Sequence, residues 1–215
     1  MTAAEMELSL VRLWLQLRDR LLTKQLLEGS APALSLRIPG SDAMWFGTTR
    51  DETPKRRNWR GLNRASFGAE LHAQVLASRD DVCAVASGGG TFGLGLIDFG
   101  GAMPGVFDEQ VRHLGRMASP QSSNSLNKAL ELRGNVLLVQ GQPLVLGMTG
   151  ARLALNAELF EKCAKAYLLA AAGGGNVRPL PWIVRYVANR RLMKDEHRAC
   201  LRVRLGLLPE ESKGY

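Results

Sequence analysis

The chain is short of cysteine, histidine and long apolar runs, with three cysteines and three histidines among 215 residues. Cys83, Cys163 and Cys200 show no metal-type pairing and each stands in an apolar setting, which points to buried, reduced thiols. No segment is uncharged and apolar enough to cross a bilayer. The longest candidate, residues 134–151, is broken by Asn135, Gln140, Gln142 and Pro143. Glu5 and Glu7 stand where a secretory signal carries basic residues, so the expected location is cytoplasmic, with no membrane partner. Internal repeats are absent, and the one low-complexity tract, residues 170–175, reads as a helix end. What remains is an ordinary globular composition, 46% hydrophobic and 22% charged, which suits a single domain with one core over residues 1–215.

The formal charge of +8 is concentrated in two places. Arg50, Lys55, Arg56, Arg57, Arg60 and Arg64 stand against Asp51 and Glu52 alone, and residues 178–204 carry eight basic side chains against Asp195 and Glu196. Such local fields attract a small anion, RNA or an acidic partner. The segment Pro54-Lys55-Arg56-Arg57-Asn58-Trp59-Arg60 interleaves one tryptophan with basic residues, as single-strand binders do. It lacks a second stacking aromatic nearby, so the reading goes against nucleic acid.

Apolar residues at helical spacing (Met6, Leu10, Trp14, Leu17, Leu21) predict a helix over residues 4–28, stopped by Gly29. Strands are expected at 33–38 and 43–46, joined by a Pro-Gly-Ser-Asp turn. A helix capped by Ser66 follows to about residue 79, with Phe67, Leu71 and Val75 on one face, and leads into a strand at 82–86. Two more strands are read at 135–139 and 143–146. A long helix over 150–172 turns Leu153, Ala157, Phe160, Ala164 and Tyr167 inward and ends at three glycines. The strands are short and tightly connected, which favours an antiparallel or mixed sheet layered with helices.

The strand at 82–86 runs into Ser87-Gly88-Gly89-Gly90-Thr91-Phe92-Gly93, a glycine run that poses the question of what is held there. Gly88-x-Gly90-x-x-Gly93, with Asp108 roughly 20 positions on, has the spacing of a dinucleotide fingerprint. That motif also needs a helix opening at the glycines and a second strand ending at the acid. Gly95, Gly100, Gly101 and Pro104 leave no room for both.

Taken in order, other segments resemble a known family. Ser35-Leu36-Arg37 stands where the class II aldolase/adducin family has Gly-Asn-x-Ser-x-Arg, and Met44-Trp45-Phe46-Gly47-Thr48-Thr49 where it has an apolar strand ending in Thr-Pro-Ser/Thr-Gly. Glu70-Leu71-His72-Ala73 and residues 78–85 (SRDDVCAV) resemble the helix and strand that carry the family's active site. Residues 136–147 (VLLVQGQPLVLG) resemble its Leu-Leu-x-Asn-His-Gly-x-Leu-x-x-Gly. The resemblance covers nearly the whole chain. It implies an α/β fold, a three-layer αβα sandwich with a central, mainly antiparallel sheet, and a homo-oligomer, the family's ring-shaped tetramer. Family enzymes cleave or epimerise sugar phosphates with a divalent metal on three histidines and a glutamate that moves the proton.

Those four residues are missing. The family's His-x-His falls on Ser87 and Gly89, its third histidine on Gly141 and its glutamate on Gly68, while Pro32 and Ala33 replace the Gly-Asn of the substrate loop. The resemblance therefore implies a chain with no metal, no cofactor and no catalytic residue. It would act as a ligand-binding, regulatory or subunit-partner protein. Thr48, Thr49, Ser66 and Ser87, with Arg56 and Arg57 supplying charge, are the candidate site for a small anionic or phosphorylated ligand. Gly90, Gly93 and Gly95 would each cost the helix that the family runs from its ligands about 1 kcal/mol relative to alanine, so that helix is expected to be distorted. The rival reading is a metal-independent lyase, epimerase or isomerase with a rebuilt site, whose acid and base would come from Glu70, His72, Asp108 or Glu109.

Overall fold

The computed structural model describes residues 3–59, 67–122 and 125–211. Arg60, Arg64 and Ser66 lie outside the described residues, as does the side chain of Phe67. Helix α1 (Ala3–Thr23) presents Leu10, Trp14, Leu17 and Leu21 as one fully buried stripe. Its end differs from the sequence expectation. Gln25, at φ 56°, turns the chain, and the Leu26 amide bonds back to the Leu21 carbonyl at 2.8 Å. A left-handed residue closing the last turn stops a helix whatever follows, so Gly29 falls inside the first strand instead of ending the helix.

That strand, β1 (Glu28–Ile38), and the strands β2 (Ala43–Thr48), β3 (Lys55–Asn58), β4 (Ala84–Gly89), β5 (Val136–Val139) and β6 (Gln142–Gly147) form one sheet, in the order β3-β2-β1-β4-β6-β5. Every neighbouring pair is antiparallel, which removes the βαβ unit that a dinucleotide site needs. Alternation along the strands divides the core between the two faces. Leu34, Leu36, Ala84, Ala86, Val136 and Val145 pack against α1 and the long helix α6 (Gly150–Ala172). Met44, Phe46, Val85, Leu137, Leu144 and Leu146 pack against α2 (Phe67–Ser78) and the short α5 (Leu126–Leu130). Helix, sheet, helix is the layering the sequence implied. Trp14 ties two of the layers: its indole donates to the Leu34 carbonyl at 2.8 Å, and Gly47 admits the ring where a Cβ would stand 2.6 Å from it.

A C-terminal helix, α7 (Trp182–Arg204), rests mainly on α4 (Asp108–His113) rather than on the sheet. It is pinned by a buried ion network. Arg79 makes a bidentate pair with Asp81 at 2.8 and 2.6 Å, and Glu196 of α7 is held by Arg133 at 2.7 Å. Burial and the neighbouring Asp81 carboxylate raise the Glu196 carboxyl above its ordinary range. Cys83 and Cys163 are buried free thiols, pushed up to about 12 and about 11 by burial. Cys200, a free thiol one turn beyond the buried Glu196, is only half-buried, which departs from the expectation of three buried thiols. Among the described residues no helix is long and apolar enough to cross a membrane.

Candidate functional site

The register aligns the candidate residues. Thr48 of β2 pairs with Ala33 of β1, and Ala33 pairs with Ser87 of β4. Directly paired residues share a face, so Thr48, Ala33 and Ser87 form one row with about 10 Å between its ends. Gly68, in the first turn of α2, lies over this row, its missing Cβ facing Phe46 at 3.6 Å and Ala33 at 4.0 Å. The sheet and α2 thus bring Thr48, Ser87 and Gly68 to one place.

The polar groups of the row are already engaged. The Thr48 amide and hydroxyl both donate to one oxygen of Asp51, at 2.7 and 2.8 Å, which holds that carboxyl below its usual range. An anion therefore already sits in the β2 turn, supplied by the chain itself. Thr49 is half-buried and its amide reaches the Pro32 carbonyl at 3.3 Å. Ser87 is buried and donates to the Ala31 carbonyl at 3.1 Å. Arg56 and Arg57, successive residues of β3, point to opposite faces. Arg56 pairs across the sheet with Trp45 and lies 3.7 Å from Glu7 of α1, whereas Arg57 pairs with Met44 on the face that carries the row. Trp59 is occupied by the Arg37 guanidinium 5.2 Å from its ring centre.

Beyond Ser87 each glycine has its own neighbour. Gly88, at φ +108°, passes 2.7 Å from the Glu28 carbonyl measured from a would-be Cβ, and Gly89 abuts Pro143 at 2.8 Å. At Gly90 a Cβ would fall 2.4 Å from the carboxyl carbon of Glu161. That carboxylate, from α6, accepts the amides of Phe92 and Gly93 at 2.8 Å each, at the start of the short helix α3 (Thr91–Gly95). The glycine run therefore holds a carboxylate of the same chain, using the exposed amides of a helix start. The expected distortion is present: α3 has five residues and passes into a 3-10 turn, Leu96–Phe99.

Three positions decide whether the family's metal fits. Ser87 Oγ is hydrogen-bonded, a side chain at Gly89 meets the Pro143 ring, and Gly141 sits at φ +78° in the two-residue turn between β5 and β6. None provides an imidazole, and among the described residues no three His, Cys, Asp or Glu side chains are grouped to hold a metal ion. The residues do not fit the group.

Nor do the rival acid and base candidates converge. His72 is fully buried on α2, its Nδ1 2.9 Å from Ser35 Oγ and its ring edge-on to Phe46; burial lowers it to about 3, so it is neutral. Glu70 is exposed on the same helix, while Asp108 and Glu109 lie on α4, which packs against α6 and α7 across the sheet.

No family model and no curated protein matches the sequence. Solved structures do. The chain superposes on YgbL of Klebsiella pneumoniae, a candidate aldolase, epimerase or decarboxylase, with a TM-score of 0.68 and 17% identity over 87% of this chain and 99% of that one. For L-fuculose 1-phosphate aldolase from Glaciozyma antarctica PI12 the values are 0.67 and 16%, over 90% and 87%. For an aldolase II superfamily protein of Pseudomonas syringae they are 0.63 and 15%, over 94% and 95%. The fold is that of the class II aldolases. In this class II aldolase fold the strand end at Ser87, the β5–β6 turn at Gly141 and the start of α2 at Gly68 are where the sequence resemblance locates the family's ligands and glutamate. Sequence reasoning missed Asp51 and Glu161, the two carboxylates that occupy the turn and the glycine run. The only signal for the first was its position three residues after Thr48, and Glu161 has none, since helix neighbours in sequence say nothing of what crosses over from the sheet.

Proposed function

We propose that this class II aldolase fold has lost the metal-dependent lyase and epimerase chemistry of its family and serves as a ligand-binding, regulatory or subunit-partner protein. The observation that carries the reading is the residue set Ser87, Gly89, Gly141 and Gly68. A divalent metal needs three or four lone-pair donors at about 2 Å, and the one donor in this set, the Ser87 hydroxyl, is already bonded to Ala31. The ligand is a small anion or phosphorylated molecule near Thr48, Thr49 and Ser87, with Arg57 on the face of the row; Ser66, the remaining candidate, lies outside the described residues. Arg56 adds field rather than contact. The L-fuculose 1-phosphate aldolase among the structural neighbours makes sugar phosphates the first compounds to test. Self-association belongs to the same reading, supported by the exposed Trp182, Ile183, Tyr186 and Val187 on α7.

The test is a panel of ketose and aldose phosphates assayed with zinc, cobalt or manganese supplied. The expected outcome is no turnover, because metal and glutamate act together on one enediolate and both are replaced. Turnover that a chelator abolishes and metal restores would overturn the proposal.

A further inference from the structure

Where β6 passes into α6, at the opposite end of β4 from Gly89, the structure has a cavity of about 520 Å³. Thr149 caps the 23-residue α6, its hydroxyl accepting the Arg152 amide at 3.0 Å. Arg152 lines the cavity although it is only 6% exposed. Its Nη1 donates to His113 Nδ1 at 3.0 Å and its Nη2 to Glu211 at 3.0 Å, while the buried Nε has no hydrogen-bond partner among the described residues. Arg198 and Arg202 of α7 form the facing wall beside Asp195, whose carboxylate is held from behind by Arg112 at 2.7 Å.

Two carboxylates close this basic cavity, both from the C-terminal segment. Glu211 accepts from the Thr149 hydroxyl and from Arg152, and Glu210 pairs with Arg202 at 2.9 Å. Both are exposed glutamates on a segment without regular structure. Without them, three guanidiniums and the start of a six-turn helix would face Asp195 alone, and Asp195 is shared with Arg112. A helix start with arginines is a receptor for phosphate or carboxylate, and the Arg152 Nε, buried without an acceptor among the described residues, leaves that guanidinium short of its full set of hydrogen bonds.

We propose that this cavity is a second anion site, for a small molecule bearing a phosphate or several carboxylates, and that Glu210 and Glu211 are its tethered occupants. A tethered group competes at high effective concentration, so the tail sets the ligand level at which the site fills. The site is separate from the Thr48 and Ser87 row, which lies at the far end of β4.

The test is calorimetric titration of inorganic phosphate, at constant ionic strength, into the full chain and into its E210Q/E211Q variant. The variant should bind about tenfold more tightly, since two charge-assisted contacts of the competitor are removed. Adding Arg198→Ala, at an exposed residue whose carboxylate neighbour Asp195 is 3.8 Å away, should reverse at least half of the gain in log affinity. Equal affinity in parent and variant, or a gain that survives Arg198→Ala, would overturn the proposal. Phosphate held at the Thr48 and Ser87 row responds to Arg57 instead and is common to all three proteins, so the two sites are told apart.

Discussion

Removing the Glu161 carboxylate tests how the glycine run is held. In Glu161→Ala the amides of Phe92 and Gly93 lose acceptors at 2.8 Å. A hydrogen bond to a charged group is worth about 1.5–3 kcal/mol. The half-buried position of Glu161 argues for the low end, so the pair should cost about 3 kcal/mol, or about 6–12 °C in melting temperature for a chain of this size. Gly90→Ala should reach the same result by another route. Gly90 has φ −86°, which alanine adopts freely, so its cost is the Cβ that lands 2.4 Å from the Glu161 carboxyl carbon and expels it. Each single variant should therefore be destabilised by about 2–3 kcal/mol, and the double variant by scarcely more than either, a coupling of about 2 kcal/mol. Urea unfolding of the four proteins, with an unchanged slope, measures it. Additive losses, or a Glu161→Ala cost below about 0.5 kcal/mol, would refute the account.

Two further outcomes follow from buried groups and from the glycines. His72 is lowered from 6.5 to about 3 by burial, so the unfolded chain takes up its proton first as the pH falls. Its contribution to stability is full above pH 6.5 and is lost on descent towards pH 3, about 3 kcal/mol of it between pH 7 and pH 4; His72→Leu should remove that part of the slope in urea unfolding at the two pH values, leaving the share from His113, which burial and Arg152 lower to about 4. Among reversions towards the family's residues, Gly68→Glu should leave the melting temperature nearly unchanged because its nearest neighbour is 3.6 Å away, whereas Gly89→His should cost about 1–3 kcal/mol against the Pro143 ring 2.8 Å from its Cβ. Equal melting temperatures for the two would contradict this steric reading.

The layers were legible because periodicity reports burial. Leu10, Trp14, Leu17 and Leu21 announced α1, and the residues expected for the long helix are those of α6. β3 was not legible, since Lys55, Arg56, Arg57 and Asn58 are all exposed and an edge strand needs no apolar alternation. The positions where the resemblance locates the family's metal ligands could be read residue by residue. The contacts of Asp51, Glu161 and Glu211 could not, because these carboxylates act on partners chosen by tertiary approach. The end of α1 was misplaced for a local reason: a glutamine in the left-handed conformation has no compositional mark, whereas Gly29 has one.

The turn between β5 and β6 bears on how this chain could be altered. Gln140 and Gly141 both have positive φ, 51° and 78°, the conformation that lets a two-residue connection match the twist of its strands. A position fixed by backbone handedness is governed by the length of the loop before it is governed by the side chain it carries. An engineer who wished to place a ligand there would lengthen the connection by a residue or two, letting position 141 leave the left-handed region, and only then choose the amino acid.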